Sequence, residues 1–324
     1  MDHPFDSLSP DTVVDSIEAL GLRCDLRMIA LNSYENRVYQ VGIEDATPII
    51  AKFYRPERWT TAQILEEHAF AAELVDADLS VVAPMTIGGQ TLHEVGDFRI
   101  AVFERRGGHA PELDNFDSLL ILGRTLGRIH RVGAAKRFKH RRSLDIDTLV
   151  SQSREFISDR FITDDLKLAY DSLARDLEAG IRETLADYSP DDHIRLHGDC
   201  HVGNILWRDD VAHFVDLDDC CNGPAIQDLW MFLSGDRFHQ EQQLSEVIAG
   251  YEEFMDFAPR QLRWIEALRA MRLMHYAAWL GRRWSDPAFP RAFPWFGQAR
   301  FWSDHILELR EQLAMLNEPP LRLL

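Results

Sequence analysis

Asp199, Asn204 and Asp216 are the residues whose types and spacing point to chemistry. They stand in His197-Gly198-Asp199-Cys200-His201-Val202-Gly203-Asn204, followed by the apolar stretch Ile205-Leu206-Trp207 and, after a short turn, by Val215-Asp216-Leu217-Asp218-Asp219. A carboxylate, an amide five residues on and a second carboxylate at the end of a returning strand form the set that phosphoryl transfer from ATP to a hydroxyl requires. Such a transfer asks the protein for little covalent chemistry. Catalysis comes from holding the nucleophile in line and neutralising phosphate charge with Mg²⁺. The carboxylate that receives the acceptor proton must therefore sit beside the metal and not on it. A five-residue loop meets this demand by turning Asp199 toward the acceptor and Asn204 back toward the phosphates, so that Asn204 and Asp216 are the candidate Mg²⁺ ligands.

Two rival readings exist for the same residues. A β-hairpin with a polar loop would account for any one of them, but not for the combination. A zinc site would use His197, Cys200, His201 and Cys220-Cys221. Adjacent cysteines, however, do not form the pair spaced two to four apart that structural zinc sites show.

These residues need a rigid partner surface, and the N-terminal third supplies its pattern. Ser9-Pro10-Asp11 reads as a helix start, with Gly21 as its stop. Strands are expected over 27–31, 37–41 and 48–54, then near Val81-Val82 and over 98–103. The third strand carries Ile49-Ile50-Ala51-Lys52-Phe53, an apolar run broken by one lysine, the arrangement that places a Lys at the α and β phosphates. Residues 60–74 have helical period, and Glu67 flanks the apolar face of Ile64, His68 and Leu74 while Glu66 points further toward solvent, which makes Glu67 the candidate partner of Lys52. A Gly-rich phosphate loop is missing. In its place stands Leu31-Asn32-Ser33-Tyr34-Glu35-Asn36-Arg37, whose Asn residues tolerate left-handed backbone and whose Ser33 offers a hydroxyl or N–H to a phosphate; an ordinary hairpin turn is the competing reading.

Glu104-Arg105-Arg106-Gly107-Gly108 breaks the strand pattern and reads as a hinge, with backbone groups of Phe103, Glu104 and Arg105 available to an adenine. Beyond it, residues 116–131 form an amphipathic helix in which His130 reads as a packing residue. The expected organisation is a nucleotide-binding lobe over 1–103 with a leading helix, a hinge over 104–108, and a catalytic and acceptor-binding lobe over 109–324. The fold class is α+β: a bilobal, protein-kinase-like fold with a small antiparallel-sheet N-lobe and a larger, mainly helical C-lobe. A chain of 324 residues is long enough for two such lobes.

Composition bounds the partners. A formal net charge of −18 argues against nucleic acid, which is bound through a surplus of Lys and Arg. Four cysteines without a regular framework fit free thiols in a reducing compartment, and the N-terminal sequence lacks the basic and apolar regions of a signal peptide. No apolar run approaches bilayer length. The expectation is a cytoplasmic protein without a membrane or nucleic-acid partner, monomeric by default.

Lys52, Glu67, the hinge, Leu122-Gly-Arg-Thr-Leu-Gly-Arg-Ile-His130, the His-Gly-Asp loop and Asp228-Leu-Trp230 together resemble the aminoglycoside phosphotransferase and choline kinase superfamily across nearly the whole chain. Further blocks, namely 31–39, 52–59, 63–68, 222–230 and 284–290, resemble a bacterial stress-response branch of it. The resemblance implies an ATP-using, Mg²⁺-dependent kinase of protein Ser and Thr, with Asp199 as proton acceptor, Asn204 and Asp216 on the metal and Ser33 at the ATP site; the superfamily at large implies a small hydroxyl-bearing acceptor such as an amino alcohol, sugar or aminoglycoside. Two departures from ordinary protein kinases stand out: Gly198 occupies the Arg position of His-Arg-Asp, and only eleven residues separate Asp216 from Asp228, too few for a long activation loop. Residues 262–302 carry five Trp, readable as helical-lobe core or as an aromatic cage for a quaternary ammonium group.

Overall fold

The structure is a computed structural model and describes residues 4–324. Helix α1 (Pro10–Glu18) starts where the Ser9 side chain accepts from the Thr12 N–H, with Pro10 in the first turn. It precedes β1 (Cys24–Ala30), β2 (Arg37–Ile43) and β3 (Ile49–Phe53), then α2 (Thr61–Asp76), β4 (His93–Val95) and β5 (Phe98–Glu104). The five strands form one antiparallel sheet in the order β1-β2-β3-β5-β4. Strand side chains alternate between faces. Ala51 and Phe53 of β3 therefore join Val13 and Ile17 of α1 in one core, together with Val41, Ile100 and Val102. Lys52 projects to the other face, opposite Val38 on β2 and Ala101 on β5, where α2 packs through Ile64.

Thr60 and Gln63 close a reciprocal cap on α2. One expected strand is corrected and one strand is unexpected. Val81-Val82 makes only an isolated bridge to Phe214, because its partner belongs to a separate hairpin. The short edge strand β4, flanked by left-handed Gly89 and Gly96, carries too few residues to show alternation.

The C-terminal part is mainly helical, built from α3 (Phe116–Ala134), α4 (Gln152–Arg160), α5 (Asp164–Thr184), α6 (Ile226–Leu229), α7 (Arg237–Glu252), α8 (Ile265–Arg282), α9 (Ala288–Ala292) and α10 (Ala299–Met315). Between α5 and α6 lie two small antiparallel pairs, β6 (Ile194–Leu196) with β9 (Cys221–Gly223), and β7 (Ile205–Arg208) with β8 (Val211–Phe214). α3 and α7 approach until a Cβ on Gly123 would lie 2.0 Å from the Val247 carbonyl oxygen. The glycines of the α3 motif are thus packing residues. Trp264 and Trp302 are buried, and Trp279 and Trp284 pack on the same core, so most of the Trp-rich segment is helical-lobe core. All four cysteines are free and buried. No helix among the described residues is long and apolar enough to cross a membrane.

Candidate active site

The His197–Asn204 loop leaves β6 under tight control. Backbone N–H groups of His197 and Gly198 donate to the carboxylate of Asp228 at 2.8 and 2.9 Å. Asp228 is fully buried on α6 and also receives His130 Nε2 at 3.0 Å, while His130 Nδ1 meets the Tyr251 hydroxyl at 3.1 Å. His130 is therefore a packed orienting residue, three links from any reacting group. Gly198 sits at φ +86°, and a Cβ there would lie 2.2 Å from the Asp219 carbonyl oxygen. No residue with a side chain fits, which is the physical reason for glycine before Asp199.

Asp199 follows, with its side chain partly exposed. Arg272 Nη1 on α8 donates to its Oδ1 at 2.6 Å, and His201 Nε2 lies 3.5 Å from its Oδ2. Asn204 Nδ2 donates to the Asp199 carbonyl oxygen at 2.9 Å, which leaves the Asn204 Oδ1 as the free acceptor on the other side. The Val215 N–H closes the β7–β8 hairpin on the Asn204 carbonyl at 3.0 Å, and His197 Nε2 donates to the Val215 carbonyl at 2.9 Å. The sequence predicts a strand that ends in Asp216. β8 instead stops at Phe214, and Asp216 is presented from a left-handed turn at φ 58°, ψ 63°. A non-glycine residue there costs on the order of 1–3 kcal/mol. The outcome is a half-exposed carboxylate aimed at Lys52 Nζ, 3.1 Å away.

Behind it lies a buried ionic cluster. Lys52 Nζ is 3.0 Å from Asp218 Oδ1 and 3.8 Å from Glu67 Oε1. The predicted Lys52–Glu67 pair forms, but it is the longest of the three ion pairs of Lys52. Glu67 is held more closely by Arg141, 2.5 Å away. Glu66, expected to face solvent, instead accepts the backbone N–H groups of Lys139, His140 and Arg141 and so fixes the segment that delivers Arg141. Asp218 also meets Arg58 and, at 3.2 Å, Asn36 Nδ2.

Burial drives the protonation states here. It pushes Glu67 up to about 7 against the pull of Lys52 and Arg141. Burial would raise Asp218 as well, but Arg58 and Lys52 outweigh it and hold that carboxyl at about 2. Burial opposes the charge on Lys52, yet Asp216, Asp218 and Glu67 together keep its ammonium well above the ordinary lysine range.

Lys52, Asn204 and Asp216 open onto one cleft of about 360 Å³. Val38, Ile50, Val82 and Leu206 give it apolar walls, Ser33 lines it from the β1–β2 loop, and Phe103 and Glu104 line it at the end of β5. A mostly apolar slot with a polar, charged end suits a base and its phosphates. Arg105 is not brought in: its Nε donates to Gln40 at 2.7 Å, and Arg106 lines the cleft in its stead. The β1–β2 loop is tied across the molecule. Glu35 is ion-paired with Arg283 and accepts, at 2.8 Å, from Trp279 Nε1, while Tyr34 packs on Phe293 with ring centroids 4.7 Å apart. Sequence reading misses Arg58, Arg141 and Arg272, because each acts through a partner far along the chain with no local pattern; it picks out Asp228 only as part of a family-like block, without its hold on the His197–Gly198 backbone. No group of three or more His, Cys, Asp and Glu able to hold a metal exists among the described residues.

The chain matches the phosphotransferase enzyme family over residues 28–311. It is 47% identical to stress response kinase A of Escherichia coli, over 98% of this chain and 97% of that protein. It is 44% identical to the serine/threonine protein kinase RdoA of Salmonella typhimurium, over 98% and 97% of the two chains. Among solved structures, an amicoumacin kinase in complex with AMP-PNP, Ca²⁺ and its ligand superposes with a TM-score of 0.75 at 19% identity, covering 96% of this chain and 94% of that one. The chain belongs to the phosphotransferase enzyme family.

Proposed function

We propose that this phosphotransferase is an ATP- and Mg²⁺-dependent protein kinase that phosphorylates Ser or Thr as part of a stress response. The observation that carries the reading is the convergence of Lys52, Asn204 and Asp216 on one cleft, with Asp199 one hydrogen bond beyond Asn204. The names of the relatives, stress response kinase A and serine/threonine protein kinase RdoA, support the acceptor class. The ATP analogue in the amicoumacin kinase complex supports ATP as donor.

In this reading Lys52 holds the α and β phosphates, and Asp218, Asp216 and Glu67 keep it charged and aimed. Ser33 meets the phosphates from the β1–β2 loop, and the backbone of Phe103 and Glu104 faces the adenine. Asp199 accepts the proton of the acceptor hydroxyl as its oxygen bonds to the γ-phosphorus and the bond from that phosphorus to the bridging oxygen breaks, releasing ADP. The Asn204 Oδ1 and the Asp216 carboxylate would hold Mg²⁺, and two hard oxygen donors suit its preference for sparse protein ligation. When bound, the ion neutralises charge on the phosphates. Residues 1–103 and 109–324 act as two lobes about the 104–108 hinge, and the protein works in the cytoplasm as a monomer. Because Asp216 and α6 are joined by a short segment, activity needs no activation-loop phosphorylation; freshly purified, unphosphorylated protein that stays inert until another kinase treats it would overturn that part.

A second reading, a small-molecule kinase, is favoured by the fold shared with the amicoumacin kinase. Transfer of labelled γ-phosphate from Mg-ATP separates the two. Label on Ser or Thr of protein acceptors establishes the first, and label confined to amino alcohols, sugars or aminoglycosides establishes the second.

A further inference from the structure

Asp199 is met by a partly exposed cation in a chain whose formal net charge is −18. Arg272 of α8 donates one Nη1 hydrogen bond to Asp199 Oδ1 at 2.6 Å, and its side chain is 42% exposed. That contact uses one of five guanidinium donors. His201, on the other carboxylate oxygen, has its basicity lowered, first by burial. One turn along α8 from Arg272 stands Tyr276, also exposed, stacked on Trp279 at 5.7 Å and 15°. Tyr34 and Phe293 close this aromatic wall beside Trp279. Three largely buried acids of the neighbouring segments are already paired: Glu35 with Arg283 and Arg55, Asp286 with Arg55, and Glu266 with Arg269.

A cationic acceptor approaching Asp199 would meet an arginine and find these carboxylates taken. An acceptor with an anionic group beside its hydroxyl would gain a charge-assisted bond to Arg272.

Resting on the protein-kinase reading above, we propose that Arg272 is the acceptor-specificity residue, selecting a Ser or Thr flanked by an acidic side chain and rejecting basic flanks and free amines. The test is steady-state transfer from Mg-ATP to short Ser peptides that differ only in acidic, neutral or basic flanks, alongside an amino alcohol, by wild type, Arg272→Lys and Arg272→Glu, each checked for folding by thermal melting. The expected result is a wild-type KM about tenfold lower for the acidic than for the neutral peptide, the size of one charge-assisted hydrogen bond. Arg272→Lys keeps part of that preference, and Arg272→Glu reverses it toward the basic peptide. Equal use of all peptides by wild type, or an acidic preference that survives in Arg272→Glu, overturns the proposal while leaving the protein-kinase reading standing. Phosphorylation of the amino alcohol with no peptide labelled overturns both.

Discussion

The half of the site around Asp199 and Asp216 is open, with side chains 27% and 52% exposed, whereas Lys52, Glu67 and Asp218 are 7% exposed or less. Both halves contain aspartates, and Asp216 and Asp218 are two positions apart. Their energetics differ because exposed ion pairs are screened and contribute little to stability. A buried ion whose partner is removed costs about 3–5 kcal/mol, since a charge is left uncompensated away from water. The open half is free to exchange partners with substrate during a reaction. The buried half is a fixed frame, and its charges set where Lys52 points.

The comparison is broken most directly by changing one carboxylate from each half. Asp199→Ala is expected to lower the transfer rate by on the order of 10²- to 10⁴-fold, the range for a general base, with an unchanged melting temperature. Asp218→Ala should instead lower folding stability by about 3–5 kcal/mol, because Arg58, Lys52 and Arg141 lose a shared counter-charge; denaturant unfolding measures it. Stability equal to wild type would show that the cluster is hydrated and not a frame.

A pH series sharpens the contrast. Burial raises the Glu67 carboxyl from 4.5 to about 7, so the folded chain binds that proton more tightly than the unfolded chain does. Its contribution to stability is present below pH 4.5 and is lost as pH rises through about 7. Glu67→Gln should flatten the decline over that window, by about 3 kcal/mol at most, in chemical denaturation at successive pH values. An unaltered slope would place the titration on another group.

Smaller effects test the loop and the cleft's rim. Gly198→Ala forces a side chain into a left-handed position against the Asp219 carbonyl and should cost about 1–3 kcal/mol, with a fall in kcat as Asp199 is displaced. Arg105→Ala should stay within about 0.5 kcal/mol of wild type and leave the KM for ATP unmoved, because its side chain is bonded to Gln40 outside the cleft.

The difference between the two halves also explains what the sequence makes legible. The His197–Asn204 loop, β3 with Lys52 and α2 with Glu67 are local patterns, where spacing and periodicity carry the signal. The Arg58–Asp218 pair joins residues 160 positions apart, and Arg272 reaches Asp199 across 73. Neither carries a periodic signature. An arginine near a helix or turn reads as a solvated side chain until the tertiary fold supplies its carboxylate. The turn at Asp216 escapes notice for a related reason: an apolar run ending in Asp looks like a strand, and only packing against Lys52 repays the left-handed backbone.

The central claim is a division of labour in which Asp199 serves the acceptor and Asp216 serves the nucleotide. Titration of a non-hydrolysable ATP analogue into wild type, Asp199→Ala and Asp216→Ala, each with and without Mg²⁺, tests it most directly. The account predicts wild-type, Mg²⁺-strengthened affinity in Asp199→Ala and loss of the Mg²⁺ effect in Asp216→Ala. An unchanged Mg²⁺ effect in Asp216→Ala, or its loss in Asp199→Ala, would contradict it.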